Sequence, residues 1–156
     1  MSKILKTVSA ILGVIAVFMM FVPQVAVHWS NGDVSTLGVQ ALFGGDYAGI
    51  GTDFTGVTSG FVGYMLIAGG ILLVLACAFL AFFKEHDILN ILVMIIGIIL
   101  LIVGTVLLFT IRYTFSEVNG LVSDTVYVGG GAIAGGSLGA LSAAAATLGL
   151  LLDFAK

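Results

Sequence analysis

The side chains able to do acid–base or nucleophilic chemistry are few in this 156-residue chain and stand far apart. Two histidines, His28 and His86, are separated by an apolar run, Gly60 to Phe83, long enough to cross a bilayer. That run predicts them on opposite faces of a membrane, where they cannot share a site. The single cysteine, Cys77, falls inside the same run, so no intrachain disulfide, CxxC pair or thiolate cluster can form, and it reads as a small core residue. H-E-x-x-H and G-x-S-x-G do not occur, and Gly129-Gly130-Gly131 lacks the preceding strand and the basic partner of a phosphate-cradling loop. The stretches Gly60–Phe83, Ile88–Ile111 and Val128–Leu152 contain no Asp, Glu, Lys, Arg or His. Membrane proteases and lipid-modifying enzymes must hold such groups together, so the expectation is a protein without enzymatic activity, cofactor or metal.

Two other polar sets remain. Asp33, Asp46, Asp53, Glu117 and Asp124 lie in the segments between apolar runs, against Arg112 alone. They predict an acidic outer surface that would attract cations if it formed a vestibule. Ser137, Ser142 and Thr147 are the hydroxyls of the last apolar run, available as pore lining or as hydrogen-bond donors to neighbouring helices and their own backbone. Asn90, near the start of the third run, reads as an interhelical hydrogen-bonding group.

The elements that must position these groups are set by hydropathy. The chain is 60% hydrophobic and 8% charged, against roughly 25% charged residues in a soluble domain. Four apolar runs are long enough to span: 7–27, 60–83, 88–111 and 128–153. The basic start and apolar centre of the first read as an uncleaved anchor, with Pro23 and Gln24 near its outer end. The third is rich in Ile, Leu and Val, with Gly97 and Gly104 as a narrow inward stripe. The last run is built from small residues, with seven Gly, seven Ala, two Ser and one Thr between Val128 and Asp153. Gly131, Gly135, Gly139 and Ala143 fall four apart on one face, beside a second stripe of Ala132, Gly136, Ala140 and Ala144. In lipid no hydrophobic drive pushes helices together, so close backbone approach along such stripes is what holds them. Gly weakens a helix in water by roughly 1 kcal/mol relative to Ala, and its abundance therefore marks this helix as one selected for packing.

Segments 28–59 and 113–127 change to alternating patterns. Asn31-Gly32 and Asn119-Gly120 suit two-residue type I′ turns and predict a β-hairpin around each. In the first, Trp29 would oppose Val34 and Val27 would oppose Thr36, and Trp29 would anchor at the interface. In the second, Val118 would oppose Leu121. The glycine-rich stretch from Gly38 to Ser59 reads as a long irregular loop. The fold expected is one domain: an all-α membrane bundle of four transmembrane helices, with a small extracellular antiparallel β-sheet formed by the two hairpins. Lys3, Lys6, Lys84 and Lys156 fall on one side of it and Arg112 on the other, which by the positive-inside rule puts both termini in the cytoplasm. No Lys/Arg cluster exists to neutralise phosphates, so a nucleic-acid partner is not expected.

Four helices, this chain length and a glycine-striped helix resemble the duplicated proteolipid subunits of rotary ATPases. The mid-membrane carboxylate of that family has no counterpart here, Asp153 standing at the end of the fourth run beside Lys156. The layout also resembles claudin-like tetraspans, with a long first outer loop opening on strands and an aromatic, Trp29, and a shorter second loop. The claudin loop signature of Gly-Leu-Trp and paired cysteines is missing. What that resemblance implies is side-by-side assembly of a sheet-capped protomer in the bilayer. The functional expectation is a protein that self-associates through the small-residue helix into a homo-oligomer, structural or pore-forming. The alternative is an accessory subunit that binds a larger membrane protein through its outer segments.

Overall fold

A computed structural model describes residues 1–29, 32, 34–46, 53–80, 88–121 and 125–155. Four long helices dominate: α1 (Ser2–Phe18), extended by a 3₁₀ turn (Met19–Phe21), α3 (Thr58–Leu80), α4 (Ile88–Phe109) and α6 (Gly130–Phe154). Each is long and apolar enough to cross a membrane. Between them lie strands β1 (Val25–His28) and β2 (Val34–Leu37), a short helix α2 (Val39–Phe43), strands β3 (Gly45–Asp46) and β4 (Asp53–Phe54), a helix α5 (Ile111–Val118) and strand β5 (Val126–Val128).

The long helices pack in a ring, α1 against α3 and α6, and α4 against α3 and α6. Small residues make the ring tight. A Cβ on Gly70 would stand 2.8 Å from the Gly97 carbonyl oxygen, and one on Gly104 would stand 2.6 Å from that of Gly63. The two glycine pairs thus run antiparallel down the α3–α4 seam, and Gly97 and Gly104 do face inward. α1 inverts the pattern of a soluble amphipathic helix: its buried stripe is Ser2, Lys6, Ser9, Gly13 and Ala16, while Ile4, Val8, Ile11 and Val14 point outward. Its partner α6 turns Gly135, Ser142 and Gly149 toward it, so the two helices meet along small and hydroxylated side chains.

Four expectations are corrected. The first helix ends at Phe21 rather than Val27. Pro23 lacks the N–H that would continue it, and Gln24 caps it, its amide Nε2 donating to the carbonyls of Met19 at 2.7 Å and Val22 at 2.6 Å. The first hairpin forms one residue out of the expected register, with Val25 opposite Leu37 and His28 opposite Val34. Gly32, at φ +89°, donates to the Trp29 carbonyl at 3.1 Å. Trp29 therefore belongs to the loop and leaves the ladder. A slip of one residue reverses the faces of β2: Leu37 is buried with Val25 and Val27, while Val34 and Thr36 are exposed.

The second hairpin is replaced by α5. Ile111 and Phe115, one turn apart, are fully buried and give the segment a helical apolar stripe. Asn119-Gly120 closes that helix instead of turning a hairpin. Gly120 takes φ +65°, its N–H donates to Glu117, and the Leu121 N–H donates to Ser116 at 2.8 Å, the paired bonds of a Schellman cap. The sheet consequently has three antiparallel strands in the order β2-β1-β5, one hairpin plus a single strand from the second segment. The fourth correction concerns Gly38–Ser59, whose described residues include α2 and the β3–β4 pairing, Gly45 opposite Phe54 and Asp46 opposite Asp53.

Candidate functional site

Among the described residues, three polar junctions join α1 or its outer end to α6. The first is beneath the sheet. Gln24 and Tyr64 are fully buried, and the Tyr64 hydroxyl donates to Gln24 Oε1 at 2.6 Å. With both hydrogens of its amide on Met19 and Val22, Gln24 is satisfied at three points. The chain of α6 enters against this group. Gly131 N–H donates to the Pro23 carbonyl at 2.7 Å and Gly129 N–H to that of Gln24 at 2.8 Å. A Cβ on Gly131 would collide with Gln24 Nε2 and the Val22 carbonyl, so glycine is what allows the helix to start there.

The second place is mid-bundle, where Ser9 and Ser142, both fully buried, exchange hydrogen bonds across α1 and α6. Ser9 Oγ donates to the Ser142 carbonyl at 2.8 Å, Ser142 Oγ donates to the Ser9 carbonyl at 2.7 Å, and the hydroxyls lie 3.0 Å apart. The third is at the opposite end from the sheet. Lys6 Nζ, on a side chain 3% exposed, pairs with Asp153 at 2.6 Å. One turn earlier Ser2 is buried and its Oγ has no partner. Asp153, read from the sequence as an interfacial charge beside Lys156, takes Lys6 of the first helix as a partner; Lys156 lies outside the described residues.

The small residues singled out in α6 divide between two roles. Gly131, Gly135, Gly136, Gly139 and Ala143 are buried within the chain. Gly135 faces the Tyr64 hydroxyl, Gly136 faces the Phe109 ring and Gly139 faces Thr105 Oγ1. Ala132 is buried too, whereas Ala140 and Ala144 are exposed on the outward side. There they join Ile102, Thr105, Val106, Ala143 and Thr147 around a cleft of about 310 Å³ between α4 and α6. Of the three hydroxyls considered for a pore, Ser142 is the one bound to Ser9. Thr147 Oγ1 donates to the Ala143 carbonyl at 2.8 Å at the edge of the cleft, and Ser137 is exposed on the same side.

Three of the acidic set fall among the described residues. Glu117 is exposed on α5; Asp46 and Asp53 oppose each other in the β3–β4 ladder; Asp33 and Asp124 lie outside the described residues, as does His86. Trp29 is half-buried against the core. Arg112, half-buried, sets its guanidinium 5.1 Å from the centre of the Tyr113 ring, and its Nε has no partner. His28 is exposed on β1 with its ring 4.3 Å from that of Tyr127. Cys77 is buried and donates to the Asn90 carbonyl at 3.4 Å, while Asn90 Oδ1 has no partner. No group of three or more metal-ligating side chains occurs among the described residues.

Sequence reasoning missed Gln24, Tyr64, Ser9 and Lys6 as junction residues. A signal was present for Ser9 and Lys6, since polar residues at helical spacing inside an apolar run belong on its protein-facing side. None existed for the pairing of Gln24 with Tyr64, which are 40 residues apart. No protein-family model matches the chain, and no curated protein matches it.

Proposed function

We propose that this protein is an integral membrane protein without catalytic activity, its termini cytoplasmic and its sheet extracellular, that associates with further copies of itself in the bilayer. The observation that carries the membrane reading is the outward surface of the four long helices. Ile11 and Phe18 on α1, Leu72 and Phe79 on α3, Ile99 and Val106 on α4, and Leu141 and Leu151 on α6 are all exposed. A belt of this kind is a liability in water and the ordinary solution in hydrocarbon. The junctions described above satisfy most of the interior polar groups within one chain, as lipid demands.

In this reading, self-association is seated outside the glycine stripe. The glycine stripe is occupied inside the protomer, and what is left for a neighbour is the outward side of α6, where Ser137 is exposed and Ala140 and Ala144 border the cleft against α4. Small residues there let a second helix come close enough for dispersion contacts. A pore, if the assembly makes one, lies between protomers and not through the Ser9–Ser142 contact. The test is the mass of the protein in nanodiscs by native mass spectrometry, for the natural chain and for Ala144→Leu. A discrete oligomer that Ala144→Leu dissociates without unfolding supports the reading; a clean monomer for the natural chain overturns it. The alternative, an accessory subunit bound to another membrane protein, is favoured by one feature: β2 is an edge strand with Val34 exposed, a place where an extended segment can add to the sheet.

A further inference from the structure

We draw no further inference here: the strongest candidate, the cluster of Ser2, Lys6 and Asp153 where the first and last helices meet, carries nothing, because the ammonium and the carboxylate already pair with each other and nothing in the structure shows what the unpartnered Ser2 hydroxyl would bind.

Discussion

Replacing Gln24 by Met keeps the length of the side chain and removes every hydrogen bond it makes. Two of these cap the end of the first helix, at 2.7 Å to Met19 and 2.6 Å to Val22, and each contributes about 1 kcal/mol net. The third partner fares worse. The Tyr64 hydroxyl, fully buried, would keep only a 3.4 Å contact to the Gly131 carbonyl, and a buried donor left in that state costs about 1–3 kcal/mol. The total is about 3–5 kcal/mol. Tyr64→Phe is the control. It leaves both caps in place and strands only the Gln24 carbonyl oxygen, for about 1–3 kcal/mol, so Gln24→Met should cost about 2 kcal/mol more than Tyr64→Phe. The double variant should fall well short of the sum, because the Tyr64–Gln24 bond is counted in both singles. Reversible unfolding in detergent micelles, followed by far-UV circular dichroism against denaturing detergent, measures all three. Equal losses for the two single variants, or a Gln24→Met loss below about 1 kcal/mol, would refute the assignment of Gln24 as the group that ends the first helix.

Three further outcomes are expected. Gly135→Leu should destabilise the protomer by at least about 1–3 kcal/mol, since its first added atom would already stand 3.0 Å from Tyr64 Oη and 3.3 Å from the Ala16 carbonyl; thermal melting that matches the natural protein would show that α6 is not seated as described. Asp153→Asn leaves the 3%-exposed Lys6 without its counter-charge and should cost up to about 3 kcal/mol, with Lys6→Met/Asp153→Asn recovering most of it; a double variant no better than the single would count against the ion pair. Asn119→Ala removes the side chain that accepts from Thr55 N–H at 2.7 Å and donates to the Thr55 carbonyl at 3.1 Å. Hydrogen exchange at Thr55 should then quicken about tenfold, equivalent to about 1.4 kcal/mol, while the amides of α4 stay as they were.

The two Asn-Gly pairs show where local reading stops. Both dipeptides favour a left-handed glycine, and that much is local: Gly32 and Gly120 have φ of +89° and +65°. A left-handed glycine serves equally to turn a hairpin or to close a helix. Which one forms depends on what the preceding residues can bury. After Phe109 the stripe of Ile111 and Phe115 meets the bundle end as a helix, and Asn119-Gly120 becomes its cap. Before Asn31-Gly32 the alternation of Val25 and Val27 meets β5 as a strand, and the register follows from burying Leu37 in place of Val34.

Length and hydropathy by themselves determined the four long helices and the packing character of α6, because both are properties of a run of neighbouring residues and need no partner. The inward glycines of α4 were equally plain, since a bulky face beside a small one has only one sensible orientation in lipid. What only the tertiary structure decided is pairing over distance: Gln24 with Tyr64, Ser9 with Ser142, Lys6 with Asp153, and which of the α6 small residues are used up within the protomer. A hydroxyl or a glycine is compatible with several neighbours, and the choice among them is made by the ring of helices as a whole, where burying one face of α6 against α1 leaves Ala140 and Ala144 on the other.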